Sequence, residues 1–190
     1  MPMYAQELPI TTQNSEAKVL FMEARELFDN IRFDEARETF DEVLQKDPGF
    51  AFANLYRALS SPTDADFTSY LAKAVSSKGD ISDAERMVIE SVKANADNQP
   101  MKAIATLKEA LNEYPNDKRL HHWLGLAYQG INDFQKAERQ YRAAIDIDTD
   151  FAPPYNNLGY LYRDRERYAQ AEEAFKHYIR ILPSEANPHA

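Results

Sequence analysis

The sequence predicts an all-α protein, a solenoid of about five antiparallel helix hairpins, and three observations support this fold class. Apolar residues recur at helical spacings of three and four along most of the chain. No segment alternates polar and apolar residues as a strand would, so we expect no sheet. A set of residue types also returns after 34 residues. The pairs are Leu124 and Leu158, Gly125 and Gly159, Tyr128 and Tyr162, Ala137 and Ala171, and Tyr141 and Phe175. Small residues among large ones at this period indicate two closely packed helices in each repeating unit.

The chain begins with an extended lead-in, residues 1–14, which contains two prolines and lacks helical periodicity. Ser15 is the expected N-cap of the first helix, which runs to about Asp29. Asn30 is expected to form the following turn, because asparagine tolerates a left-handed backbone. The lead-in therefore stands outside the repeating part of the chain.

The second helix spans about 33–46 and presents Ala36, Phe40 and Val43 on one face. The run Asp47-Pro48-Gly49 ends it, since proline and glycine terminate helices. The same pattern predicts further helices near 51–60, 64–77, 82–96, 101–113, 118–129, 134–146, 152–164 and 168–181. Turn residues separate these helices, as Gly79 and Gly130 do.

The last hairpin carries a longer pattern, Tyr155, Leu158, Gly159, Tyr162, Ala171, Phe175 and Pro183. On these residues the chain resembles the tetratricopeptide repeat (TPR) family, whose repeat has Trp where Tyr155 stands. The resemblance implies a right-handed superhelix of TPR type over residues 15–183. The predicted units are 17–50, 51–83, 84–117, 118–151 and 152–185, of which 51–83 is degenerate, and 184–190 is a tail.

Composition excludes several classes of function. The chain has 22 basic and 31 acidic residues, a net charge of -9, and no basic stripe, which argues against nucleic acid as a partner. Because the chain has no cysteine, disulfides, thiol nucleophiles and thiolate metal sites are excluded.

The cellular location is expected to be cytoplasmic. No apolar run approaches the ~18 residues of a membrane span, and residues 1–12 lack the features of a secretory signal. The alternative is an exported or periplasmic protein, if a signal ending near Tyr4-Ala5-Gln6 was removed. In either location we expect no membrane span, because no apolar run is long enough.

Two polar motifs invite a metal-site interpretation. His121 and His122 are adjacent, so on a helix they point about 100° apart and cannot bind one ion together. The register directs His121 toward the partner helix and His122 toward the concave side. The aspartates of 146–150 resemble the start of a calcium loop, but Phe151 stands where that loop needs glycine. We expect no metal, no cofactor and no catalytic residue.

The first helix of each unit supplies the inner surface of the predicted superhelix. In the last two units the register places these candidate partner-binding residues there: Arg119, His122, Gln129, Asn156, Tyr160 and Arg163, and the resemblance adds Asn157. The resemblance adds that Asn157 occupies a position where TPR proteins often present asparagine to a bound peptide backbone. A side-chain amide suits this role because it both donates and accepts hydrogen bonds. Phe21 and Phe28 are expected to face the inner surface as well.

The function expected from these features is a non-catalytic scaffold that binds a peptide or helix of another protein in its concave groove. The alternative is a structural segment of a longer repeat array, or a self-associating scaffold, that uses its C-terminal face. The alternative rests on a set of apolar residues that no later helix is predicted to cover, which are Phe175, Tyr178, Ile179 and Leu182. This face would form a homodimer through the C-terminal helix, or would continue into a natural chain longer than 190 residues.

Overall fold

The computed structural model describes residues 7–77 and 81–183. These residues contain ten helices and no strand. The helices are α1 (Ser15–Asp29), α2 (Phe33–Lys46), α3 (Ala51–Leu59), α4 (Asp64–Ser76), α5 (Asp83–Ala96), α6 (Pro100–Glu113), α7 (Lys118–Gly130), α8 (Phe134–Ile147), α9 (Pro153–Arg163) and α10 (Tyr168–Ile181). Their ends lie within one residue of the predicted ends, and the all-α helical-repeat fold class is confirmed.

The chain divides into two compact units. We call Leu8–Gln99 the first unit, and Met1–Glu7 together with Pro100–Ala190 the second unit. The predicted repeat 84–117 therefore contributes α5 to the first unit and α6 to the second. The predicted turn at Gly79 and the tail 184–190 lie outside the described residues, as does the start of the lead-in.

Aromatic rings form the core of the first unit. Phe21 is fully buried, with its ring 4.9 Å from that of Phe50 and edge-on to Tyr56 at 5.4 Å. The expectation that Phe21 faces the inner surface is therefore wrong. The reason is that α3 is buried along almost its whole length, so the rings of α1 pack against it. Phe28 is half-buried between the rings of Phe33 and Tyr56.

The N-cap of α1 lies one residue before the predicted position. Asn14, and not Ser15, is the N-cap, since its side chain accepts hydrogen bonds from the backbone N–H groups of Glu16 and Ala17. Both residue types are good N-caps, so sequence preference alone does not separate them.

The turns that follow α1, α5, α7 and α9 each place one residue in the left-handed region. Asn98, Asn132 and Glu166 have φ near 60° and follow one another at intervals of 34 residues. In the first hairpin the left-handed residue is Ile31, at φ 63°, whereas the predicted Asn30 has φ -87°. Asn30 lies in the turn as predicted, but the left-handed residue is Ile31, a β-branched residue in a backbone conformation that it disfavours.

In the second unit, α7 pairs with α8 and α9 pairs with α10. A Cβ atom added to Gly125 would lie 2.5 Å from the Tyr141 ring, and one added to Gly159 would lie 2.4 Å from the Phe175 ring. The predicted role of the small residues, which is to let two helices approach closely, is confirmed at both glycines. Among the described residues, no helix is long and apolar enough to cross a membrane.

Candidate functional site

The seven candidate residues lie on two helices of the second unit. We call this set the α7–α9 face: Arg119, His122 and Gln129 on α7, and Asn156, Asn157, Tyr160 and Arg163 on α9. The buried Asp117 caps α7, since its carboxylate accepts the N–H groups of Arg119 and Leu120 at 2.9 Å. α9 begins with prolines at its first two positions, where their missing N–H groups need no partner.

A hydrogen bond joins the two helices at the middle of the α7–α9 face. His122 Nε2 lies 2.8 Å from Asn157 Oδ1, and because the amide oxygen accepts, Nε2 is the donor. The imidazole ring is held edge-on against Phe151, with centroids 5.6 Å apart, and lies 5.9 Å from the Tyr141 ring. This contact leaves the Asn157 amide NH₂ group as a donor beside the imidazole.

At the start of α7 the face carries positive charge beside an aromatic ring. The Arg119 side chain is 11% exposed, and its guanidinium carbon lies 5.9 Å from the Phe151 ring centre. Its Nη1 lies 3.9 Å from Glu7 Oε2, an ion pair within the second unit. A guanidinium held in this way can bind a carboxylate.

Lys118, next to Arg119 in the chain, forms an ion pair with Asp148. Burial opposes ionisation of Asp148. The Lys118 ammonium, the N–H of Asp150 and the charge of Arg119 outweigh this effect and hold the pKa of the Asp148 carboxyl below its usual value. The aspartates that resemble a calcium loop therefore include one that pairs with lysine, as suits an inter-repeat turn.

The other end of the face combines an aromatic ring with a second arginine. The Arg163 guanidinium carbon lies 4.7 Å from the Tyr160 ring centre, and Tyr160 packs edge-on against Phe175 at 5.2 Å. Gln129 is tied to the neighbouring helix, because its Oε1 accepts the Tyr141 hydroxyl at 2.6 Å. Burial raises the pKa of that hydroxyl, which therefore stays protonated as the donor.

Asn156 is half-buried on α9. The face thus offers side-chain amides, an imidazole and two guanidinium groups, which are groups that hold the polar atoms of another chain. It contains no nucleophile paired with a base. In the parts of the chain that the structure describes, no group of three or more His, Cys, Asp or Glu side chains could hold a metal ion.

His121 is turned away from His122, as the register predicts. Its Nδ1 lies 2.8 Å from Gln140 Oε1 on α8, and its Nε2 lies 2.9 Å from the backbone carbonyl of Pro115. It therefore bridges to the partner helix.

A polar network beside the face was not predicted. Glu138 on α8 accepts hydrogen bonds from the Tyr162 hydroxyl at 2.7 Å, from Arg167 at 3.0 Å and from Arg142 at 3.2 Å. Burial opposes ionisation of Glu138, but these three donors outweigh it and hold the pKa of its carboxyl below the ordinary value. The network fixes α9 against α8. Only the spacing of Glu138 and Arg142, four residues apart on one helix, could have been noticed in the sequence.

The proposed apolar C-terminal face is smaller than expected. Tyr178, predicted to be uncovered, is 6% exposed, and Leu182 is also buried, whereas Ile179 is 40% exposed. The expectation of an exposed stripe is therefore wrong for Tyr178 and Leu182. Tyr178 lies on the inward side of α10, as Ala171 and Ala174 do, and Leu182 is the residue directly after that helix.

Comparison with known proteins identifies the kind of repeat. A family model for the tetratricopeptide repeat matches residues 21–85, 94–153 and 124–186. The TPR repeat-containing protein PA4667 of Pseudomonas aeruginosa is 29% identical over 99 residues, or 52% of this chain. The Protein O-mannosyl-transferase F38B6.6 of Caenorhabditis elegans is 31% identical over 68 residues, or 36% of this chain. The chain spans only 17% and 10% of the length of these two relatives.

Solved structures show the same fold. The MamA crystal structure matches with a TM-score of 0.52 and 22% identity, covering 86% of this chain and 96% of that one. The structure of YrrB, described as a TPR protein with an unusual peptide-binding site, matches with a TM-score of 0.51 and 19% identity. That match covers 87% of this chain and 86% of YrrB. At these identities the likeness concerns the fold alone.

Proposed function

The chain belongs to the tetratricopeptide repeat family, and from this premise we propose that its α7–α9 face binds an extended or helical segment of a partner protein. TPR proteins act as protein-interaction scaffolds and are typically non-catalytic. We assign this chain no reaction, no cofactor and no nucleic-acid partner. The ligand of the α7–α9 face is a segment of another protein.

The observation that carries the proposal is the hydrogen bond between His122 and Asn157. It brings polar side chains of two successive first helices to one surface, and it orients the Asn157 amide so that the NH₂ group remains to donate. A main-chain carbonyl of a bound segment is a suitable acceptor for that group. Arg119, paired with Glu7, lies at one end and Arg163, paired with Asp164, at the other, and acidic side chains of the same segment can compete for both guanidinium groups.

The experiment compares the wild-type chain with Asn156→Ala/Asn157→Ala. The immobilised proteins are used to capture partners, captured proteins are identified by mass spectrometry, and the affinity of a purified partner is then measured. Each amide that contacts the ligand contributes a hydrogen bond, so the double variant should lose affinity by about tenfold or more. Circular dichroism should be unchanged, since neither side chain closes a hairpin.

A matched control is Asn112→Ala/Gln135→Ala, which removes two exposed amides from α6 and α8. This variant should capture partners as the wild type does. Equal binding by all three proteins would contradict a role for the α7–α9 face. Loss of helicity together with binding in the Asn156→Ala/Asn157→Ala variant would show that the amides are structural.

A further inference from the structure

The part of the lead-in that belongs to the first unit, residues 8–14, is held like a bound peptide. It contains neither helix nor strand. Thr11 donates its backbone N–H to Glu85 Oε1 at 2.8 Å and its hydroxyl to Glu85 Oε2 at 2.6 Å. One carboxylate therefore binds both donors of one threonine, and the two residues are 74 positions apart in the chain.

Three further contacts fix the same segment. The Thr12 hydroxyl donates to Asp47 Oδ2 at 2.6 Å, and the Asn14 side chain donates to the Lys46 carbonyl at 3.1 Å. The Leu8 side chain is buried. Leu8 and Thr11 thus supply the buried side chain and both bonds to Glu85, and any extended peptide with an apolar residue three positions before a threonine could supply these.

The receiving carboxylate is built into the fold. Glu85 is 1% exposed and lies in the first turn of α5. Besides Thr11, its Oε2 accepts the backbone N–H of Ser82 at 2.9 Å and the Ser82 hydroxyl at 2.8 Å, while the Ser82 hydroxyl accepts the Glu85 N–H at 3.1 Å. This capping box holds the carboxylate in place, and the two bonds to Thr11 complete its set of donors.

We propose that the first unit contains a second peptide-binding site, in which the Glu85 carboxylate binds the ligand. The chain's own lead-in occupies this site as a tethered ligand. The site takes an extended segment of a partner protein that has an apolar residue three positions before a threonine. This site is separate from the α7–α9 face, which belongs to the other unit. The lead-in competes strongly because it adjoins α1, and a short tether gives an effective concentration in the ~mM range.

The test uses a fluorescein-labelled synthetic peptide with the sequence of residues 7–14, Glu-Leu-Pro-Ile-Thr-Thr-Gln-Asn. Three proteins are titrated into this peptide, and fluorescence anisotropy is recorded. They are the wild-type chain, the variant Thr11→Pro and the variant Thr11→Pro/Glu85→Gln. Proline removes the N–H and the hydroxyl of residue 11 together and favours an extended residue before it, so it weakens the competitor without adding structure. Circular dichroism is recorded for each protein.

Thr11→Pro should bind the peptide at least about tenfold more tightly than the wild type, because the tethered competitor is weakened. Adding Glu85→Gln should reduce this affinity about tenfold, since one acceptor of a charge-assisted pair is lost. Equal affinity of the wild type and Thr11→Pro, or no effect of Glu85→Gln, would overturn the proposal. A loss of helicity in Thr11→Pro would also overturn it, because the lead-in would then be part of the fold and not a displaceable ligand.

Two controls separate this site from other binding. A peptide with valine in place of the first threonine keeps the shape and loses the hydroxyl, so it should bind Thr11→Pro about tenfold more weakly. The variant Thr11→Pro/Asn156→Ala/Asn157→Ala should bind the original peptide as Thr11→Pro does. If these asparagine substitutions abolish binding, the peptide occupies the α7–α9 face and the second site is rejected.

Discussion

Replacing Gly159 by alanine tests a close contact between α9 and α10. The added Cβ would lie 2.4 Å from Cε1 of Phe175 and 2.6 Å from both Cδ1 and Cζ. Carbon atoms in contact prefer separations of about 3.5–4.0 Å, so the ring or the helix must move by roughly 1 Å. Phe175 also packs against the Tyr160 ring, which restricts its movement.

Two opposing effects set the magnitude. Alanine is favoured over glycine inside a helix by about 1 kcal/mol, whereas overpacking a well-packed contact costs about 1–3 kcal/mol. The clash here involves three ring atoms, so the upper part of that range applies. We expect Gly159→Ala to lower the free energy of unfolding by about 2 kcal/mol net.

The assay is thermal unfolding followed by circular dichroism, with Gly130→Ala as the matched control. Gly130 is the last residue of α7, whereas Gly159 lies inside α9, and a Cβ added to Gly130 would meet no atom within 4 Å. At about 2–4 °C per kcal/mol, Gly159→Ala should melt roughly 4–8 °C below the wild type. Gly130→Ala should melt at or slightly above the wild-type temperature, because it gains helix propensity without a clash.

The effects of substituting Gly159 and Phe175 on the free energy of unfolding should be non-additive. In Gly159→Ala/Phe175→Leu the smaller side chain makes room for the new methyl group, so the double variant should be more stable than the sum of the two single effects implies. A melting temperature of Gly159→Ala equal to or above that of Gly130→Ala would refute the assignment of Gly159 as a close-packing position.

Two other substitutions test the turns and the polar network. Asn132 is exposed with φ 60°, so Asn132→Ile should destabilise the protein by about 1–2 kcal/mol, and chemical denaturation that shows no change would contradict this. Glu138→Gln should cost about 1–2 kcal/mol at pH 7, measured as the shift in denaturation midpoint. Folding lowers the pKa of Glu138 from 4.5, so its stabilisation is fully present above that value and is lost as the pH falls through the lowered pKa. The gap between wild type and Glu138→Gln should therefore close in acid, and a gap independent of pH would show that the ionised carboxylate is not responsible.

Much of this protein is determined by local sequence. The ten helix spans follow from helical periodicity and from the turn residues between them, which act over a few positions. The close approach at Gly125 and Gly159 also follows from the sequence, because the 34-residue repeat shows the same glycine opposite the same aromatic position twice. A tertiary contact that recurs in two repeats can therefore be predicted from a single sequence.

Only the tertiary structure decided how individual side chains pair across long separations. Phe21 could be assigned to an inner surface until α2, α3 and the residue before α3 placed four other rings around it. Glu138 could be a solvated carboxylate until α9 and the start of α10 brought Tyr162 and Arg167 to it. The repeat pattern does not predict the contact between Thr11 and Glu85, because the lead-in lies outside the repeats. Such contacts depend on where the packed helices place distant chain segments, whereas periodicity records only which face of each helix is buried.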